Sequence, residues 1–305
     1  MCIRDRKYPE DELYLVVGTD MFLSFREWHE YKYLLDNCTL AVLSRETDDR
    51  GEILSFKRSL ENEDGARIRL IEHEPLPMSS AEIRAMLPKA GGAELLDDGV
   101  YSLIIKNRWY AAKPELRWLR EKVRPYLTEK RARHVAGCEE QAVKLARRWG
   151  ADVYEAAEAG ILHDITKKLS DEEQLIMCDK YGIILDAAER RNPRILHART
   201  GAALARELFG IPDGIYSAIR WHTTGKPDMS LMEKIIYLAD FTEPTRDFEG
   251  VEPLRKLCFE DIDRAMELGL RMSLEEIRSR GEDAYKDTVD AYQWYKKEQG
   301  GSATC

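Results

Sequence analysis

Two domains of different class are expected, an α/β unit over residues 1–112 followed by an all-α helical bundle over 113–300. Three observations predict this. Before about residue 112, short apolar runs bounded by polar turns alternate with helical segments, and after it every segment carries apolar residues at three-to-four spacing. A length of 305 residues suits one large or two ordinary domains. The join reads as "NRWYAAKPE" at 107–115, where Pro114 fits the first position of a helix.

In the first part, "LYLVVG" (13–18) and "LAVLSR" (40–45) read as buried parallel strands, with a helix over 22–36 between them. "RIRLIE" (67–72) is a third strand. "MSSAEIRAML" (78–87) opens a helix with Ser79 and Glu82 in capping-box spacing, and "DDGVYSLIIKN" (97–107) is the last helix of this part. The charged leader "MCIRDR" runs almost at once into a strand pattern, as a start in mid-domain would. In the second part, helices are expected over 114–129, 131–149, 152–168, 171–181, 198–209, 212–222, 230–242, 259–280 and 283–298. Gly150, Gly182, Gly210, Gly225 and Gly250 punctuate them.

Hydrophobic residues make up 44% of the chain and charged residues 34%, a globular composition. The net charge of −9 argues against coating nucleic acid or an anionic membrane, since both need basic surface. It leaves room for a small anionic ligand in a local basic pocket. No apolar run approaches the length of a membrane span. Cys2, Cys38, Cys138, Cys178, Cys258 and Cys305 are scattered without a CxxC pair. That fits free thiols and a cytoplasmic location better than a disulfide framework or a zinc–thiolate site.

Of six histidines, four lie between 134 and 222, in apolar or small-residue helical context: "RARHVAGC", "AGILHDITK", "ILHARTGAALA" and "IRWHTTG". Asp240 follows in "KIIYLADFTEP". Each alone reads as an ordinary core or surface residue. Together, on separate helices of one bundle, His134, His163, His197, His222 and Asp240 are placed to converge, as metal sites of bundles do. Imidazole and carboxylate without thiolate suit Fe, Mn, Co, Ni or Zn in an open hydrolytic site. The adjacent pair His163–Asp164 can lean toward one centre, and a metal there offsets the cost of burying the carboxylate.

The order His134, His163–Asp164, His197, His222, Asp240 resembles the HD-domain phosphohydrolases. "HDITK", "HARTGA", "WHTTGK" and "YLADFTEPTR" narrow this to the YqeK-type branch, the symmetrical diadenosine-tetraphosphate hydrolases, over about residues 115–298. The resemblance implies central cleavage of the tetraphosphate bridge to two ADP. It implies that His134, His163, Asp164 and Asp240 ligate one divalent metal, iron in the first place. His197 and His222 would bind a second metal or contact phosphate. Catalysis would fall to Asp164, Lys167, His197 and His222, with a metal-activated water attacking an inner phosphorus and a protonated His197 or His222 assisting the leaving phosphate. Lys167, Thr223, Thr224, Gly225 and Arg246 would meet the phosphates. For Lys167 a solvated position beside Lys168 is the alternative; for the two threonines and glycine, a helix cap; for Arg246, a place on the surface.

"LYLVVGTDMFLSFREWHEY" and "MSSAEIR" resemble nicotinate-nucleotide adenylyltransferase, a Rossmann-like nucleotidyltransferase of NAD biosynthesis. On that match Gly18, Thr19, Asp20, Trp28, Ser79, Ser80 and Arg84 are vestigial nucleotide-binding positions. For Ser79 a plain N-cap and for Trp28 simple packing are the alternatives. Residues 1–17 carry no HxGH phosphate loop, so this part reads as a truncated copy, without adenylyltransferase activity. A fusion that also adenylates nicotinate mononucleotide, or a phosphohydrolase of another nucleotide, are the other functional readings. The expected partner is a small nucleotide, without nucleic acid or membrane; a homodimer is left open.

Overall fold

The computed structural model describes residues 11–43, 50–71, 79–186, 189–190 and 192–301. The leader with Cys2, the expected strand ends Ser44, Arg45 and Glu72, together with Met78 and Cys305, lie outside the described residues. The chain divides into two compact units, Met1–Glu82 and Ile83–Cys305.

In the first unit, strands β1 (Tyr14–Gly18), β2 (Thr39–Leu43) and β3 (Arg67–Ile71) form a parallel sheet in that order. Tyr14 pairs with Thr39, and Thr39 with Arg67. The central strand β2 is buried over its first four residues, which is why it reads as an unbroken apolar run. β3 alternates, with Arg67 and Arg69 exposed and Ile68 buried. Helices α1 (Thr19–Leu23), α2 (Tyr31–Asn37) and α3 (Arg50–Asp64) complete the unit. The single helix expected over 22–36 is broken. Phe22 and Phe25 are both fully buried, and the chain turns at extended Trp28 and left-handed Glu30 (φ 57°) to restart at Tyr31.

Helix α4 (Ser80–Met86) follows, and the second unit holds α5 (Asp98–Asn107), α6 (Leu116–Val123), α7 (Glu129–Trp149), α8 (Val153–Leu162) and α9 (Asp171–Lys180). It continues with α10 (Leu196–Phe209), α11 (Asp213–Trp221), α12 (Leu231–Thr242), α13 (Val251–Glu260), α14 (Ile262–Ser279) and α15 (Lys286–Gly301). The break between units falls near residue 82, thirty residues before the expected 112. The cause is burial: Leu87, Tyr101, Ile104 and Ile105 join the helical core. Tyr101 meets Trp118 edge-on at 5.0 Å, and its hydroxyl accepts the Glu115 N–H at 2.9 Å. Pro114 lies just before α6, whose N-cap is Glu115. Side-chain caps at Thr128, Asp152, Ser170, Ser230 and Asp261 set the helix starts. Asp261 is extended (φ −152°, ψ 104°) and caps α14, so the helix expected over 259–280 begins at Ile262, and α13 before it is a separate helix that the spacing did not announce. Among the described residues, no helix is long and apolar enough to cross a membrane.

Candidate metal centre

α7, α8, α11 and α12 pack on one another, and their chemistry-bearing residues meet in the middle. His134 projects from mid-α7, and Asp240 from near the end of α12. His163 and Asp164 follow the last residue of α8, His197 is in the first turn of α10, and His222 follows α11. The helix expected over 152–168 therefore stops at Leu162. Beyond it the chain makes successive i→i+3 turns, with Ile165 N–H on Leu162 O (3.1 Å) and Lys167 N–H on Asp164 O (2.9 Å). This tight path lets neighbours in sequence, His163 and Asp164, face one point.

All four imidazoles are buried, as is Asp164 at 2% exposure. Each histidine has its Nδ1 tied. In His163, His197 and His222 it donates to the backbone carbonyl three residues earlier: Gly160 O (2.8 Å), Arg194 O (2.7 Å) and Ile219 O (2.7 Å). In His134 it donates to Glu243 Oε1 at 3.0 Å. Carbonyls and carboxylates only accept, so the proton stays on Nδ1 and the Nε2 lone pairs are turned inward. His134 Nε2 lies 3.3 Å from His163 Nε2 and 2.9 Å from Asp240 Oδ1. Asp164 stands between the imidazoles. Its Oδ2 is 3.5 Å from His134 and 3.4 Å from His163, while its Oδ1 is 3.4 Å from His197 and 3.8 Å from His222.

Four imidazole nitrogens and two carboxylates converge here, an arrangement that suits a cation, while Arg131 donates to Asp164 and Arg246 to Asp240. His222 Nε2 and Thr223 Oγ1 are buried without a hydrogen-bond partner. Metal bonds of about 2.0–2.2 Å put ligand atoms roughly 3.0–3.5 Å apart, close to the spacings here. Two overlapping sets satisfy the geometry: His134, His163 and Asp240, and His163, Asp164 and His222. The residues fit a divalent metal. Without a metal, burial opposes a second proton on His163, but Cys138 and Asp164 outweigh it and hold the group well above the ordinary imidazole range, so a metal there has to displace that proton. Burial likewise opposes ionisation of Asp164, yet His163, His197 and Arg131 keep it well below the usual carboxylate range. Burial pushes His222 down to about 4, and burial with the Lys167 charge holds His197 well below its ordinary value. Both are therefore neutral lone-pair donors near pH 7. Burial thus disfavours the protonated His197 or His222 expected as general acid.

The centre opens on a cleft of about 630 Å³. Arg131, Lys167 and Arg246 line it beside the centre. Lys167 Nζ lies 3.2 Å from His197 Nδ1, and burial lowers its pKa. Arg131 donates to Asp164 Oδ2 (2.6 Å) and Arg246 to Asp240 Oδ1 (2.8 Å). Of the turn residues, Thr223 lines the cleft. Thr224 and Gly225 do not: Thr224 Oγ1 donates to Gly225 O, and Gly225 (φ +66°) closes the turn on Trp221 O. Arg131 and Glu243 escaped the sequence reading. The signal was spacing, since Arg131 is three residues before His134 on α7 and Glu243 three after Asp240.

Among the positions expected to be vestigial nucleotide-binding residues, Gly18 ends β1, Thr19 is buried and Asp20 is exposed. Trp28 packs on Phe25 at 5.0 Å. Ser79 and Glu82 cap each other (2.6 and 3.2 Å), Ser80 is exposed, and Arg84 lies over the Tyr110 ring at 5.2 Å. Trp28 and Ser79 thus take the packing and capping roles.

The HD domain family matches residues 131–245, the span that carries every residue of the centre. A symmetrical bis(5'-nucleosyl)-tetraphosphatase of Bacillus subtilis is 38% identical over 176 residues, 56% of this chain and 92% of that protein. A probable nicotinate-nucleotide adenylyltransferase/Ap4A hydrolase of Mycoplasma genitalium is 26% identical over 271 residues, 87% of this chain and 71% of that protein. The crystal structure of a predicted HD superfamily hydrolase involved in NAD metabolism from Clostridium acetobutylicum superposes with a TM-score of 0.58 at 35% identity, covering 59% of this chain and 96% of that one. With its histidine–aspartate centre inside the matched span and the Bacillus protein aligned over nearly its whole length, this chain belongs to the symmetrical bis(5'-nucleosyl)-tetraphosphatase family of HD-domain proteins.

Proposed function

We propose that the helical unit hydrolyses diadenosine tetraphosphate centrally, giving two ADP. The observation that carries this is Asp164, whose two oxygens face different pairs of histidines, His134/His163 and His197/His222. It supports a pair of metal ions, iron first, with Mn, Co, Ni or Zn as alternatives. His134, His163, Asp164 and Asp240 would hold one ion, and His197 and His222 the other with Asp164 between. When bound, the metal supplies an acidified water for in-line attack and charge against the phosphoryl oxygens.

The chain's own residues do the rest. Lys167, Arg131 and Arg246 neutralise phosphate oxygens in the cleft. Thr223 Oγ1, buried and unpartnered, is a donor for one more. The α/β unit is read as a Rossmann-like adenylyltransferase fragment, which its parallel sheet and the Mycoplasma fusion support. The hydrolase is read as residues 113–300, with 83–112 packed on its core. A cytoplasmic location is part of this reading.

The test is product analysis on diadenosine tetraphosphate with Fe(II) or Mn(II) added. Two ADP are expected; AMP plus ATP would refute central cleavage. A panel of other nucleotides decides whether adenosine is preferred.

Glu243 gives a second prediction. It is fully buried, and Thr245 N–H anchors its Oε2 at 2.6 Å. Burial opposes its ionisation, but Thr245 and His134 hold it below the ordinary carboxylate range. Glu243→Ala frees the His134 ring and should weaken metal binding by about 10–100-fold in chelator competition. Glu243→Gln should recover most of that, because its carbonyl still accepts from Nδ1. Equal affinity in all three proteins would show that Glu243 does not orient the ligand.

A further inference from the structure

We infer that Phe241 and Phe248 form a seat for one nucleobase of the substrate, an inference that rests on the polyphosphate-hydrolase reading above. Phe241 follows Asp240 on α12, so the ring is tied in sequence to the metal-binding carboxylate. Phe248 lies in the stretch after the helix and meets Phe241 edge-on, centroids 5.4 Å apart at 70°. Tyr237 lies parallel to Phe241 (6.2 Å, 11°), with its hydroxyl hydrogen-bonded to Ser273. All three line the same cleft as Asp164 and Asp240. Phe241 and Phe248 are half-buried, leaving ring surface for a flat apolar partner.

The stretch that carries Phe248 is built rather than loose. Arg246 Nε donates to the Asp240 carbonyl (3.0 Å) and its Nη2 to the Asp240 carboxylate. Arg255 donates to three carbonyls around it: Thr242 (2.8 Å), Glu243 (2.8 Å) and Arg246 (2.6 Å). Gly250 turns the chain at φ +88°, where an added Cβ would lie 2.9 Å from Met272 Cε. Arg246, two residues before Phe248, is thus tied by its guanidinium to Asp240, the residue before Phe241.

Charge favours one orientation of a nucleotide, with Arg194 and Arg280 of the cleft lining already paired to Glu282 and Glu276. Arg131, Lys167 and Arg246 gather at the metal end. Glu249, Glu275 and Glu276 line the cleft as well, with Glu276 paired to Arg280. Carboxylates repel phosphate and accept from an exocyclic amino group, so the phosphates lie toward the cations and an amino-bearing purine toward the aromatic wall. Stacking of a base on an aromatic side chain contributes about 1–3 kcal/mol and tolerates different bases. The alternative is that the rings merely cover Met272 and the end of α12.

The test measures binding of ADP and of inorganic pyrophosphate to the full-length, metal-loaded protein by calorimetry. Phe248→Ala and Phe241→Ala should each weaken ADP roughly 5- to 100-fold and leave pyrophosphate unchanged. Phe248→Trp should retain ADP affinity. If ADP is not weakened, or if ADP and pyrophosphate weaken together, the wall is structural and the inference fails. Wild-type hydrolysis of diadenosine tetraphosphate is followed alongside. Its absence would sink the reading of the reaction, whereas turnover with unaffected variants would sink the nucleobase seat alone.

Discussion

Asp164→Ala should lower turnover of diadenosine tetraphosphate by about 10³-fold or more and strip metal from the purified protein, while the helical fold survives. The size follows from position. Asp164 is within 3.8 Å of all four imidazoles, so its carboxylate is shared by both histidine pairs. Several kcal/mol of charge stabilisation depend on the metal, and each 1.4 or so is tenfold in rate. Stability should move little. Removing one member of a buried ion pair can cost about 3–5 kcal/mol when the remaining charge is trapped. Here the remaining charges are Arg131, whose side chain is 30% exposed and can return to water, and His163, whose hold on a second proton weakens once Asp164 is gone. The desolvation of Asp164 itself is relieved, so the metal-free variant should unfold within about 1 kcal/mol of the metal-free parent. The checks are metal analysis, circular dichroism and product formation on one preparation. Activity retained at the parental level would overturn the assignment of Asp164.

The centre was legible because its residues are chemically conspicuous. Few side chains other than histidine and aspartate serve an open hydrolytic metal site, and their helices had clear periodicity. What sequence could not show was the means of orientation. Three imidazoles are aimed by carbonyls of their own chain, at Gly160, Arg194 and Ile219, and any residue provides a carbonyl. Glu243 looked like one more acid beside a proline. Fold errors have a common physical source as well. The helix over 22–36 failed because burying Phe22 and Phe25 requires a turn that helical spacing does not announce. Helix α3 was missed because its apolar face is thin, with only Ile53 and Leu60 buried. The unit break was misplaced because a change in texture marks where strands stop. It does not mark which core the next helix joins, and Tyr101 and Ile105 settle that by packing against the bundle.

Gly160→Ala should destabilise the helical unit by about 2 kcal/mol and weaken metal binding at the same time. Gly160 sits in α8 where it crosses α7, and an added Cβ would lie 2.8 Å from the Cα of Glu139 and 3.2 Å from its nitrogen. Those are backbone atoms, so no side chain can swing aside and the helices must part. Overpacking of this kind costs about 1–3 kcal/mol, more than the gain of up to about 1 kcal/mol from replacing glycine by alanine in a helix. α7 carries His134 and α8 leads into His163, whose Nδ1 is aimed by the Gly160 carbonyl itself. Separating the helices therefore stretches the 3.3 Å approach of the two Nε2 atoms on which the metal site depends. Gly214→Ala is the control. That glycine is exposed near the start of α11 with no atom within 4 Å of an added Cβ, so the same change there should be neutral or stabilising by up to about 1 kcal/mol. Denaturant unfolding and chelator competition on both variants decide it. Loss of stability in Gly160→Ala with unchanged metal affinity would mean that the site tolerates movement between α7 and α8, and that its rigidity comes from the turns bearing His197 and His222.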